Sequence, residues 1–232
     1  MEQNLKTEES KEIEYSQSKK YMIKVALLGD INVGKSNIIR RLLGENFEEL
    51  EATVGAEFGY LEAKDVDKND PNVALSIQLW DTCKIYFMLA GAERYRSITS
   101  SHIRNADGII LVYDINSELS FQTLDYWVDL VRKTCSEDVI VYLLGNKLDL
   151  AVEDSQMRRV NKTSAIEFVN KNNLVHWAEC SAKTNKNLKE TFKNFYLRIY
   201  LSQKTKLDEK TKNMKKLIIE NSLKTEPQSK CC

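Results

Sequence analysis

From Tyr21 onward, short apolar runs alternate with stretches whose apolar residues recur at helical spacing. Residues 25–28 form a short buried strand, and a helix opens at Lys35 and reaches Leu43. Residues 58–66 and 73–80 predict two strands joined by the polar turn Asp67-Lys-Asn-Asp-Pro71. Residues 108–113 and 139–145 are continuous apolar runs, the pattern expected where both faces of a sheet are covered. Between them Phe121, Leu124, Trp127, Val128 and Val131 share one helical face. Ala165, Phe168 and Val169 mark a further helix, residues 174–179 a strand, and Leu188, Phe192, Phe195 and Ile199 a last helix. Alternation of this kind predicts an α/β domain with a doubly wound sheet over residues 21–200. Residues 1–20 have no apolar period and predict a disordered arm, while residues 201–232 predict a polar tail.

Composition narrows the class. A chain of 232 residues has room for one well-cored domain plus tails. Hydrophobic residues make up 42% and charged ones 29%, and basic and acidic residues balance at 34 each. That balance argues against a nucleic-acid-binding protein. No apolar run approaches the length of a membrane span, and the Glu/Lys-rich N-terminus lacks the pattern of a signal peptide. Cys83, Cys135 and Cys180 are scattered, as expected of a reducing cytosol rather than a disulfide framework. The other two cysteines, Cys231 and Cys232, close the chain.

Two motifs carry the chemistry. Gly29-Asp-Ile-Asn-Val-Gly34-Lys35-Ser36 fits G-x-x-x-x-G-K-[ST], the loop whose backbone amides wrap a di- or triphosphate. Downstream stands Asn146-Lys147-Leu148-Asp149. An aspartate on a rigid strand end accepts hydrogen bonds from guanine N1–H and the exocyclic amine, a donor pair that adenine lacks. Asp149 would therefore choose the base, with Asn146 and Lys147 bracing the loop and covering the ring. Together the motifs indicate a guanine nucleotide.

With these motifs in this order, the chain over about residues 21–200 resembles the Ras superfamily of small GTPases, and its details resemble the Rab branch. That resemblance implies a monomeric G domain with a six-stranded, mostly parallel sheet and helices on both faces. It implies GTP or GDP and Mg2+ as ligands, with Asn32, Val33, Gly34, Lys35, Ser36, Thr53 and Gly91 at the phosphates. Ser36, Thr53 and Asp81 would hold Mg2+; Phe47, Asn146, Lys147, Asp149, Ser181, Ala182 and Lys183 would hold guanine. Rab character rests on Val54-Gly-Ala-Glu-Phe58, Leu75-Ser-Ile-Gln-Leu-Trp80, Arg94-Tyr-Arg-Ser-Ile98 and Leu111-Val-Tyr-Asp-Ile115. In that branch Phe58 and Trp80 belong to an exposed aromatic triad that meets effectors; the third member, a Tyr, is replaced here by His102. Partners implied are an exchange factor, a GTPase-activating protein, effectors, an escort protein for prenylation and a dissociation inhibitor.

Two departures bear on hydrolysis. Where the family places a Gln that orients the attacking water, this chain has Ala92, and Ile31 replaces a small residue of the phosphate loop. Slow intrinsic hydrolysis is expected, and a GTP-bound scaffold that does not hydrolyse is the alternative. Between Thr82 and Ala90 lie seven residues, Cys83-Lys-Ile-Tyr-Phe-Met-Leu89, that the family lacks. They separate Asp81 from Gly91, and two origins stand open. One is a genuine insertion, which must displace Gly91 from its phosphate contact. The other is a retained short intron: with Cys83 as TGT, Lys84 as AAA and Leu89 as TTA, the segment opens on GTAAA. It would close on TTAG with the first base of the Ala90 codon, and its removal would leave Trp-Asp-Thr-Ser-Gly-Ala-Glu.

Residues 201–230 hold eight lysines against four acidic residues. The terminal Cys231-Cys232 resembles the double geranylgeranylation signal, which implies anchoring to the cytoplasmic face of an endomembrane or the plasma membrane, with cycling through the cytosol. Two C20 chains pass the two-signal threshold for stable anchoring, each buried methylene contributing about 0.8 kcal/mol. The lysine excess adds attraction to anionic lipid.

Overall fold

A computed structural model describes residues 19–49, 57–82 and 101–224. Six strands form one sheet in the order β2-β3-β1-β4-β5-β6. They are β1 (Lys19–Leu28), β2 (Glu57–Ala63), β3 (Val73–Asp81), β4 (Gly108–Asp114), β5 (Ile140–Asn146) and β6 (His176–Glu179). Only β2 runs antiparallel, joined to β3 by the predicted polar turn. The other pairings are parallel. The expected architecture, a doubly wound and mostly parallel six-stranded sheet, is the one observed. Helices α1 (Lys35–Leu42), α2 (Glu118–Gln122), α3 (Leu124–Thr134), α4 (Leu148–Glu153), α5 (Lys162–Lys171) and α6 (Leu188–Lys224) connect and cover it.

Every residue of β4 is buried, as its unbroken apolar run requires when helices lie on both faces. One core cluster joins Val25, Leu27, Ile38, Leu75, Ile77 and Phe192 beneath α1 and α6. The opposite cluster joins Ala26, Leu28, Ile109, Leu124, Val128 and Phe168 beneath α3 and α5. Alternate residues of β1 thus serve opposite cores, which is the period of two of a strand. Gly108 has no side chain to hold Phe195 and Ile199 of α6 away from β4. Burying each of those side chains contributes about 1.5–3 kcal/mol.

Several element boundaries differ from the sequence pattern, each for a local reason. Asp65 turns left-handed at φ 54° and ends β2 before Val66, which is buried outside the ladder. Asn173, at φ 53°, does the same before β6, so that strand starts at His176 rather than at residue 174. The apolar face over Phe121–Val131 is split at Thr123 into α2 and α3, and the Ser117 side chain caps α2 by accepting from the Ser120 N–H. Strand β1 starts at Lys19, where it pairs with Val73.

The last helix continues past residue 200 to Lys224. Gln203 and Leu207 are buried beyond that point. Gln203 Nε2 donates to the carbonyls of Asp107 at 3.1 Å and Asp138 at 2.9 Å. Tyr21 Oη donates to Asp208 Oδ1 at 2.6 Å. These contacts are mostly polar, so hydrophobic periodicity gives no sign of them. No helix among the described residues is long and apolar enough to cross a membrane.

Candidate functional site

The carboxyl ends of the five parallel strands point to one edge of the sheet, where open α/β sheets bind ligands. Beyond β1 the chain turns at Gly29, φ 143°, where a Cβ would overlap the Val112 carbonyl of β4. Asn32 is left-handed at φ 61°. Gly34 caps α1 at φ 96°, and a Cβ there would collide with the Asn146 side chain. The loop delivers the N-terminus of α1, with its N–H groups and partial positive charge, to the strand ends. Lys35 is buried there at 3% exposure and folds back over the loop. Its Nζ donates to the carbonyls of Gly29 at 2.8 Å and Asp30 at 2.6 Å. Ser36 Oγ donates to Asp81 Oδ2, so a hydroxyl and a buried carboxylate stand side by side. Thr82 Oγ1 donates to the Leu27 carbonyl at 2.6 Å and ties the end of β3 to β1.

Asn146 joins two loops. Its Nδ2 donates to the Val33 carbonyl at 2.8 Å, and its Oδ1 accepts from the Ala182 N–H at 3.1 Å. Lys147, left-handed at φ 63°, starts α4, and its Nζ meets Asp114 Oδ2 at 2.8 Å. Asp114 Oδ1 also accepts from the Asn116 N–H, whose side chain donates to the Lys147 carbonyl. Asp149 Oδ1 accepts from Ser181 Oγ at 2.6 Å, and Ser181 Oγ accepts from the Thr184 N–H at 3.0 Å. Lys183 is exposed, its carbonyl accepting from Arg41 Nη2 at 3.4 Å. Phe47 is half-buried against the α1 side of the core. Next to it, Asn37 holds the Glu48 backbone through both its amide nitrogen and its oxygen.

Asn146 bonded to Ala182 and Asp149 bonded to Ser181 thus tie the same two loops together, and Asn116, 31 positions from Lys147, braces that lysine. Thr53, Gly91, Ala92, Cys231, Cys232 and the segment 83–89 lie outside the described residues. Sequence reasoning missed Asp114 and Asn116, which hold Lys147. It also missed Arg158, whose guanidinium grips Glu179 with both arms at 2.6 and 3.0 Å. Glu179 is the last residue of β6, two before Ser181, so this ion pair fixes where the Ser181 loop begins. That ion pair raises the Arg158 pKa further. Such partners meet only after folding and leave no spacing to recognise.

On the other side of β3 an aromatic patch forms. Phe58 and Trp80 stack with ring centroids 5.4 Å apart, and Trp80 meets His102 at 5.3 Å. His102 thus takes the third place beside the predicted pair. Tyr60 packs edge-on against Phe58 at 5.5 Å, and Lys24 Nζ lies 4.8 Å from the Trp80 ring centre. Phe58 and Tyr60 are 56% and 60% exposed. Desolvation, then the Lys24 charge, lowers the His102 pKa.

Chemically the site offers an ammonium and a helix N-terminus for phosphate oxygens, and a carboxylate at Asp149 for a base edge. The Ser36 hydroxyl and Asp81 carboxylate are hard oxygen donors of the kind that Mg2+ prefers, and their adjacency fits one such ion. The family model described as "Ras family" matches residues 24–201. The chain is 35% identical over 199 residues to the GTP-binding protein YPT52 of Saccharomyces cerevisiae, spanning 76% of this chain and 81% of that one. It is 33% identical to the Ras-related protein Rab-11C of Dictyostelium discoideum, over 78% of this chain and 73% of that one. Against the Ras-related protein RABA6b of Arabidopsis thaliana the identity is 34%, over 84% and 79%.

Proposed function

Because this chain belongs to the Ras family and, within it, to the Rab small GTPases, we propose that it is a prenyl-anchored switch of vesicle traffic that binds GTP and GDP through the network around Asn146. Members of the family are GTPases that bind their nucleotide with Mg2+ and act through regulators and effectors. One observation carries the reading for this chain: Asn146 holds the phosphate loop and the Ser181 loop at once. A diphosphate on the first loop and a guanine on the second are then parts of one ligand.

In this reading the amides of residues 32–36 and the Lys35 ammonium take the β- and γ-phosphates, and Thr53 and Gly91 close on the γ-phosphate. Asp149 accepts from guanine, the Ala182 amide faces its carbonyl, and Phe47 leans on its edge. Ser36, Asp81 and Thr53 would hold Mg2+, which supplies charge that neutralises the phosphate oxygens. Hydrolysis needs a water aligned with the γ-phosphate, and Ala92 has no polar atom to align it. Turnover then rests on an activating protein that brings both a Gln and an Arg. Phe58, Trp80 and His102 form the effector face, and geranylgeranyl groups on Cys231 and Cys232 hold the switch on a cytoplasmic membrane face. An exchange factor reloads it, an escort protein presents it for prenylation, and a dissociation inhibitor carries it through the cytosol.

Ala92 and Ile31 favour a second reading, a scaffold that stays GTP-bound. Nucleotide extracted from freshly purified protein decides between them. Mostly GDP supports the cycling switch, mostly GTP the scaffold, and neither guanine nucleotide sinks both.

A further inference from the structure

We infer that Trp127 on α3 is a positioning residue for the phosphate loop, acting through Asp30 on Lys35; this rests on the nucleotide-binding reading above. Trp127 is buried at 3% exposure, and its indole Nε1–H donates to Asp30 Oδ1 at 3.1 Å. A buried indole N–H needs an acceptor. Here that acceptor belongs to the second residue of the phosphate loop, 97 positions away in the chain. A bond to a carboxylate is charge-assisted and about twice as strong as a neutral one.

The consequence reaches the lysine. Asp30 uses its side chain toward α3 and its backbone carbonyl toward Lys35, whose Nζ donates to it at 2.6 Å. The second acceptor of that ammonium is the Gly29 carbonyl at 2.8 Å. Gly29 is located by its close approach to the β4 backbone at Val112, whereas Asp30 lies past the end of β1, outside any ladder. The tie to Trp127 is therefore what orients the Asp30 peptide, and the two carbonyls aim the Lys35 ammonium at the phosphates. The same tie holds the Asp30 carboxylate on the indole rather than beside the phosphate oxygens it would repel. A tilt of α3 moves the Asp30 carbonyl that accepts from Lys35, so nucleotide retention is sensitive to the seating of α3.

The test is release of a fluorescent GDP analogue from the full-length chain, with melting temperature measured on the same samples. Losing one hydrogen bond of this kind predicts that Trp127→Phe and Asp30→Ala each speed release about fivefold to tenfold. The double variant should release no faster than either single one. Asp30→Asn keeps an acceptor oxygen and should stay within about twofold of the parent protein. Unchanged release in Asp30→Ala, or effects that multiply in the double variant, would overturn the inference. Asp30 lies outside the core, so its two variants decide the matter even if Trp127→Phe fails to fold. A parent protein that takes up no GDP analogue would sink the nucleotide reading itself, a result distinct from normal uptake with unchanged release.

Discussion

Asn146 Nδ2, at the end of β5, donates to the Val33 carbonyl of the phosphate loop at 2.8 Å, across 113 residues of chain. Its Oδ1 accepts from Ala182, so one amide side chain satisfies groups on two loops. Asn146→Ala leaves both partners buried and unpaired, at a cost of about 2–4 kcal/mol. Urea unfolding should show that loss, and GDP affinity should fall by more than about tenfold as the loops part. Asn146→Asp keeps the acceptor for Ala182 but sets a carboxylate against the Val33 carbonyl, so it should rescue little. Parent-like affinity in either variant would contradict the bridging role.

In the proposed reading Asp149 would choose the base by accepting two hydrogen bonds from guanine; in the structure its Oδ1 accepts from Ser181 Oγ. Asp149→Asn replaces one acceptor with a donor. GDP binding should weaken by about 100-fold, the worth of roughly two charge-assisted bonds. Xanthosine diphosphate, which carries a carbonyl in place of the guanine amine, should gain. Competition between the two nucleotides on parent and variant reads this directly, and equal losses for both would count against Asp149 as the base selector.

Hydrolysis is expected to be slower than the roughly 10⁻⁴ per second of intact relatives. Ala92→Gln should raise the single-turnover rate where residues 83–89 are absent from the expressed protein. Matched cDNA and genomic sequence across the codons for Gln78 to Tyr95 shows which protein exists. A cDNA lacking the segment from GTAAA to TTAG leaves the switch weakened by Ala92 and Ile31 alone; one that retains it favours the scaffold. An unaltered chain hydrolysing GTP at the ordinary rate would contradict the role assigned to Ala92.

Stability should fall as pH rises through the thiol range. Burial pushes the Cys135 thiol from its ordinary value of 9.0 up to about 11, and burial raises Cys180 as well. Between these values the unfolded thiols release protons that the folded ones keep, so the unfolded state gains. Urea midpoints should therefore drop between about pH 9 and 11, and Cys135→Ala should shallow the drop. A midpoint that rises over that window would reverse the sign argued here.

Local chemistry made much of this protein legible in its sequence. Apolar runs of period two and stripes of period 3.6 located the strands and most helices, because burial on one or two faces dictates those periods. The phosphate loop and Asn146-Lys147-Leu148-Asp149 were legible because backbone turns and base edges demand particular residues at fixed spacing. Only the tertiary structure decided which polar groups meet. Asn146 with Val33, Lys147 with Asp114, Arg158 with Glu179 and Trp127 with Asp30 are each brought together by the sheet, which returns the carboxyl ends of its five parallel strands to one edge. It also decided that α6 stays docked past residue 200 through Gln203, Leu207 and Asp208. A hydrogen bond between distant side chains depends on where folding sets them, and no period along the chain encodes that.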